Sequence, residues 1–487
     1  MFAKPLVGLR LQGIALVLVC GRDRLEARAR QPVRDNSLRL FHLDLPHRTT
    51  QPSTSLSRES VVLDALAGQI ESRRDELIAL TRDLVAFPTV NPPGEAYTEC
   101  AGFLGERLRR RGFEVSYIRG EGTPGDNDRY PRTNILARYD TGRPGACIHF
   151  NGHIDVVEVG RGWTRDPFAG EVAGGRIYGR GTCDMKAGIA ASVVAAECLI
   201  DSGMPLCGAI EISGTVDEES GGFGGVAYMA RQGLFSKPRV DHVIIPEPLN
   251  VDRVCIGHRG VWWAEIETFG HIAHGCMPFL GDCAIRHMGA FLDRVERDLL
   301  PGLVGRRTDM PVVPDGARAS TLNFNAIHGG MSEDHDGLMS PCVPDSCRLT
   351  IDRRFLVEEN LDDVRGEVVD LLDGLRRTRP GFDYAIRDLM IVLPVLADRD
   401  APVPKAVSSA IETILAKKAE IICSPGTYDQ KHISRIGHLH DCVAYGPGIL
   451  DLAHQPDEFV VIDDLVHSAQ VMALATLDLM GHDAFSR

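Results

Sequence analysis

Five short segments of this chain put metal-capable side chains at strand ends or in turns. Asn151-Gly-His153-Ile-Asp155 follows an apolar run, and the two-residue period of a strand sets His153 and Asp155 on one side. A carboxylate so placed can take the second ring N–H of an imidazole whose other nitrogen holds a cation; alone, His-x-Asp is a weak signal and a structural pair is the simpler reading. Asp184, in Gly179-Arg-Gly-Thr-Cys-Asp184-Met-Lys-Ala-Gly188, stands just before a helical pattern, where an N-cap is the simpler reading. Asp217-Glu218-Glu219-Ser-Gly-Gly222 closes another apolar run. Three successive carboxylates are costly there unless cations neutralise them or water surrounds them. Pro246-Glu247-Pro248 ends Val243-Ile-Ile, a buried-strand pattern closing on an acid, or else a surface loop. The fifth segment is Gly446-Pro-Gly448 followed by Ala453-His454-Gln-Pro-Asp-Glu458. Gathered in one place, such imidazoles and carboxylates make a ligand set for divalent cations.

The elements that must position them can be read from apolar spacing. Leu66, Ile70, Leu77, Leu80 and Leu84 recur at helical intervals and predict an amphipathic helix over 63–85. Asn91-Pro-Pro-Gly94 has turn chemistry, and a second helix is predicted over about 96–111, stopped by Gly112. Runs at 135–139, 146–150, 209–213 and 242–245 read as buried strands, and 185–200 as a helix rich in small residues. This alternation predicts an α/β domain with a largely parallel sheet. Around Val261 the texture changes: Trp262-Trp263-Ala-Glu-Ile-Glu-Thr alternates like a half-exposed strand, 347–355 does so again, and 361–375 is helical. A smaller α+β insert over 258–372 is expected, with the α/β pattern resuming after about Pro380 through helices at 404–417 and 463–480. The two parts of the α/β domain are then 61–257 and 373–487.

Composition limits the function. The chain has 487 residues, long enough for more than one domain, with 44% hydrophobic and 25% charged residues, as in soluble globular proteins. A net charge of −14 leaves no electrostatic footprint for nucleic acid. Thirteen scattered cysteines without a CxxC pair fit reduced thiols in a cytoplasmic protein. Residues 1–60 are a poorly defined, basic N-terminal extension. Its apolar run at 11–20 is too short to span a membrane, and no clear cleavage site follows, so a targeting role stays open.

Together the five segments resemble the zinc-dependent aminoacylase/deacylase metallopeptidase family, which includes acetylornithine deacetylase, succinyl-diaminopimelate desuccinylase, aminoacylase and glutamate carboxypeptidase. The resemblance runs from about residue 72 to the C-terminus, in the family's order, and Trp163, Asp166-Pro-Phe168, Tyr178-Gly-Arg180-Gly181 and Thr427-Tyr-Asp429 also look like family positions. It implies a di-zinc catalytic domain with a mostly parallel sheet, interrupted by an α+β lid and dimerisation domain. It implies two zinc ions per chain, replaceable by cobalt or manganese, with Asp184 bridging both, His153 and Glu247 completing one site, and Glu219 and His454 the other. Asp155 would orient His153. Glu218 would act as general base for attack of a metal-bound hydroxide on the amide of a small N-acyl amino acid. A dipeptidase or carboxypeptidase of the same family is the alternative; a non-catalytic ligand-binding relative would lack the ligands or the base, and this chain keeps them. His274, in Gly270-His-Ile-Ala-His274, matches the histidine that stabilises an oxyanion across the interface of a homodimer. Arg354 matches the arginine that grips a substrate carboxylate, a task suited to a guanidinium fork. One departure stands out: Pro341-Cys-Val-Pro344 puts a proline where many relatives have a substrate-contacting asparagine. No nucleic-acid or membrane partner is expected.

Overall fold

The computed structural model describes residues 58–331 and 341–481. The apolar run at 11–20 and nearly all of the expected extension lie outside them. Among the described residues, no helix is long and apolar enough to cross a membrane.

The segment expected as one helix over 63–85 is two, Arg58–Ser72 and Arg74–Val85. The break falls at Arg73, whose guanidinium bonds Glu76 and the buried Glu197. Helix Tyr97–Arg110 follows. These helices cover a nine-stranded mixed sheet whose order is Glu114–Arg119, Thr133–Asp140, Ala209–Thr215, Cys147–His153, His242–Ile245, Cys442–Ala444, Arg253–His258 and Val395–Leu396, with Glu420–Ser424 also paired to Arg253–His258. Its centre is parallel: Cys147–His153 pairs in parallel with both Ala209–Thr215 and His242–Ile245, and Cys442–Ala444 with His242–Ile245. Cys147–His153 and Ala209–Thr215 are buried at every position. That is why they read as continuous runs rather than alternating ones.

Helix Lys186–Asp201 lies beneath this centre, buried from Lys186 through Leu199. Its small residues allow close approach. A Cβ on Gly188 would fall 2.0 Å from the Pro246 carbonyl oxygen, so the helix start and the Pro246-Glu247 segment meet only because residue 188 is glycine.

The insert is a four-stranded antiparallel sheet in the order Thr321–Gly329, Ser346–Phe355, Gly260–Phe269 and Asp383–Val392. Helices Ala284–Arg294 and Leu361–Thr378 pack on one face, over Ile266, Leu349 and Ile351. Trp262 is buried in this core and donates its indole N–H to Asp388 Oδ1 at 2.7 Å, so it packs rather than lining a pocket. The expected boundary at 372 is corrected here. It falls inside helix Leu361–Thr378, and Asp383–Val392 pairs with Gly260–Phe269, so the insert's sheet runs on to Val392. The residues after Pro380 alternate in burial as an exposed edge strand does, which separates them from the buried runs of the large sheet.

Candidate metal centre

Three neighbouring parallel strands end in one crevice. Cys147–His153 closes on His153, Ala209–Thr215 leads into Asp217–Glu219, and His242–Ile245 leads into Glu247. The carboxyl ends of parallel strands are where open α/β sheets collect such side chains. Asp184 arrives from the loop before helix Lys186–Asp201, and His454 from the loop that follows Cys442–Ala444. All five expected ligands therefore converge. Ligand atoms of His153, Asp184 and Glu247 lie within 4.8 Å of one another, as do those of Asp184, Glu219 and His454. Asp184 belongs to both groups: Oδ1 is 3.0 Å from His153 Nε2 and Oδ2 is 3.5 Å from His454 Nε2. Glu247 Oε1 is 3.9 Å from His153 Nε2, and Glu219 Oε2 is 3.2 Å from His454 Nε2.

This packing of acids is costly without positive charge. Burial, then the charge of Asp184, pushes the Glu247 carboxyl well above the usual carboxylate range. Burial above all lifts Glu219 to about 7. Glu219 Oε1 is buried and has no hydrogen-bond partner. Two divalent cations fit this donor set: they would occupy the two three-residue groups, share Asp184, and give the orphaned oxygen a partner. A cavity of about 200 Å³ opens beside them, lined by Asp184, Glu218, Glu219, Glu247, Tyr428 and His454 among others.

The acids of 217–219 go three ways. Asp217 turns inward to Arg132 Nε at 3.1 Å and the Tyr97 hydroxyl at 3.2 Å. Glu219 faces the cation ligands. Glu218 accepts from Lys431 Nζ at 2.6 Å. Asp155 does more than face His153. The ring Nδ1–H of His153 donates to the Asp155 backbone oxygen at 3.0 Å, with the carboxylate Oδ1 at 3.5 Å. That carboxylate also accepts the backbone N–H of Glu218 at 3.2 Å, that of Glu219 at 3.1 Å, and the Asn91 amide at 3.0 Å. One buried residue thus holds the histidine through its backbone carbonyl and the acidic turn through its carboxylate.

Glu458 plays a matching part for Asp184. Its Oε1 accepts the backbone N–H groups of Gly181, Cys183 and Asp184 at 3.0, 2.7 and 3.0 Å, and its Oε2 takes Arg180 Nη1 at 2.6 Å. Arg180 reaches back to the His454 carbonyl at 3.3 Å, tying both ligand loops together. The sequence placed Arg180 and Glu458 within the right segments but gave neither a role. Lys431 carried no signal beyond its neighbour Asp429.

The insert's two expected residues stand apart from the cluster. His274 is exposed, and its Nδ1 accepts the backbone N–H of Cys276 at 3.1 Å. Arg354 forms a fork with Asp352, at 2.7 and 3.0 Å. The position of Arg354 beside His258 and Arg259 is felt electrostatically by both.

Comparison with known proteins adds four likenesses. The model of Peptidase family M20/M25/M40 matches residues 149–478. Succinyl-diaminopimelate desuccinylase of Parvibaculum lavamentivorans is 33% identical over 278 residues, 52% of this chain and 66% of that protein. The protein of the same name in Gluconacetobacter diazotrophicus is 28% identical over 429 residues, 85% of this chain and all of the relative (100%). The crystal structure of human carnosine dipeptidase 1 superposes with a TM-score of 0.69 at 19% identity, covering 86% of this chain and 99% of that one. At that identity the likeness is one of fold.

Proposed function

The chain belongs to peptidase family M20/M25/M40, and from that premise we propose that it hydrolyses the amide bond of a small N-acyl amino acid. It does so with two divalent cations, zinc by preference, held by His153, Asp184 and Glu247 and by Asp184, Glu219 and His454. The observation that carries this reading is the pair of three-residue ligand groups sharing Asp184. The desuccinylase relatives favour an acyl group over a second amino acid on the scissile nitrogen. When bound, the cations polarise the amide carbonyl and make water acidic enough to react near neutral pH.

The side chains do the rest. Glu218 has one oxygen held by Lys431 and a second free to take a proton from water and pass it to the departing amine. Arg354 exchanges the Asp352 fork for the substrate carboxylate. His274 meets the developing oxyanion in the cleft of a second copy of the chain. Support for that homodimer is the apolar surface around His274, where Ile272 is 55%, Phe279 79% and Leu280 60% exposed. Unpaired buried thiols such as Cys100, Cys255 and Cys442 fit a reducing compartment, and we assign the protein to the cytoplasm.

The test is to strip the protein with a chelator, reload it with zinc, cobalt or manganese, and assay N-acetyl and N-succinyl amino acids beside dipeptides. Activity should vanish on stripping, return with about two ions per chain, and release acetate or succinate. Full activity in stripped protein sinks the mechanism, and release of two amino acids alone moves the substrate class to dipeptides. Mixing inactive His274→Ala and Glu218→Ala chains should restore activity if the site is shared, because one cleft of each mixed dimer has both groups.

A further inference from the structure

Glu218 and Glu219 are successive residues of one turn, yet only Glu219 reaches the ligand cluster. On this single 3-10 turn successive side chains point about 120° apart, and Asp155 holds both N–H groups. What Glu218 meets on its side of the turn is Lys431. Its Nζ lies 2.6 Å from Glu218 Oε1, and the two side chains are 3% and 12% exposed. Lys431 sits on the short helix Gln430–Arg435, which is firmly held. The Gln430 amide donates to the Cys442 carbonyl at 2.7 Å and accepts the Tyr428 hydroxyl at 2.7 Å. Asn151 Nδ2 holds Asp429 Oδ2 at 3.0 Å. The next residue, His432, bonds the Gly221 carbonyl at 2.7 Å and so ties this helix to the end of the acidic turn.

Resting on the function proposed above, we infer that Lys431 is a positioning residue that holds Glu218 out of the cation ligand set. Two divalent cations carry more charge than the carboxylates of Asp184, Glu219 and Glu247 neutralise, so a fourth carboxylate one residue away is drawn toward them. A buried ammonium at 2.6 Å, in a strong charge-assisted hydrogen bond, opposes that pull. It anchors one oxygen of Glu218 and leaves the other facing the cavity as a base instead of a ligand. A buried ion pair serving stability alone would leave the coordination of the cations and the turnover of folded, loaded protein unchanged.

The experiment uses the full chain with Lys431→Met, Lys431→Arg, Glu218→Gln and the double variant Glu218→Gln/Lys431→Met. Each is loaded with cobalt(II) for visible absorption, and with zinc for elemental analysis, thermal unfolding and steady-state kinetics. In Lys431→Met the cobalt spectrum should weaken as Glu218 joins the ligands and coordination number rises; the double variant should return to the spectrum of Glu218→Gln. Metal content should stay at two, KM should change little, and kcat should fall about 100-fold, the cost of a misplaced reacting group. Lys431→Arg should recover most of that loss, and Lys431→Met should add none in the Glu218→Gln background. Should Lys431→Met not fold, Lys431→Gln carries the same expectations. An unchanged cobalt spectrum, or a kcat loss that multiplies with that of Glu218→Gln, overturns the assignment. Absence of metal-dependent hydrolysis in the wild type counts against the functional reading, while the cobalt spectra still decide the role of Lys431.

Discussion

Replacing Gly188 by alanine tests whether the metal centre depends on how closely one helix approaches one loop. The added Cβ would stand 2.0 Å from the Pro246 carbonyl oxygen and 2.8 Å from its Cβ. A relaxed carbon–oxygen contact is about 3.3 Å or more, so the helix start and the Glu247 segment must separate by roughly 1.3 Å. Ligand distances in a metal site tolerate only about 0.2 Å. Overpacking should cost about 1–3 kcal/mol, partly offset by the gain of about 1 kcal/mol when alanine replaces a helical glycine. Stability is therefore a blunt readout and metal affinity a sharp one. Competition with a chromophoric chelator should show one cation bound about 10–100-fold more weakly, as when supporting contacts of a metal site are lost. Gly289→Ala is the control. That exposed helical glycine has nothing within 4 Å of the added carbon, so the variant should gain about 0.5–1 kcal/mol and bind both cations normally. Wild-type affinity for both cations in Gly188→Ala would refute the reasoning.

Three further outcomes are expected. Glu218→Gln should keep both cations and lose most turnover, whereas Glu219→Gln should also lose one cation by elemental analysis; equal metal loss in the two would reverse the assignment of the pair. Arg354→Lys should raise KM about tenfold for substrates with a free carboxylate, the loss of one charge-assisted bond, and should leave amidated substrates unaffected; a wild type that hydrolyses both forms equally well excludes that role. Burial holds the His258 imidazole down at about 4, while the unfolded chain restores it to about 6.5. The unfolded state therefore binds the extra proton as pH falls from about 6.5 to 4, and stability drops across that window. In His258→Phe the fall of Tm with acidification should be shallower, and an identical slope would show that His258 stays neutral on unfolding or is already charged when folded.

Much of the site was legible because ligand residues sit at the ends of uninterrupted apolar runs, and such runs are buried strands that finish in a common crevice. His153, Glu219 and Glu247 follow three adjacent parallel strands, so reading the strands nearly locates the cluster. Asp155 and Glu458 were harder to interpret, since their work is to accept backbone N–H groups, and no side-chain pattern encodes such a partner. Lys431 was invisible: a lone lysine on a six-residue helix reads as a solvated charge until the fold brings it to Glu218 across 213 residues of sequence. The strand Asp383–Val392 was misplaced because a return from insert to main domain leaves no mark when both contain strands. His274 and Arg354 were named by resemblance, and within one chain each satisfies itself locally, with Cys276 and with Asp352.

The bond from Asp184 N to Glu458 spans 274 residues. During synthesis, at roughly 5–20 residues per second, that interval lasts about 14–55 s. Throughout it the loop carrying Asp184 lacks the carboxylate that gathers its three N–H groups, and for nearly all of it His454 has yet to be made. A chain ended just before residue 454 contains every strand of the large sheet but lacks His454 and Glu458. If His454 is a ligand as proposed, chains that stop short of it should bind no pair of cations and show no hydrolysis.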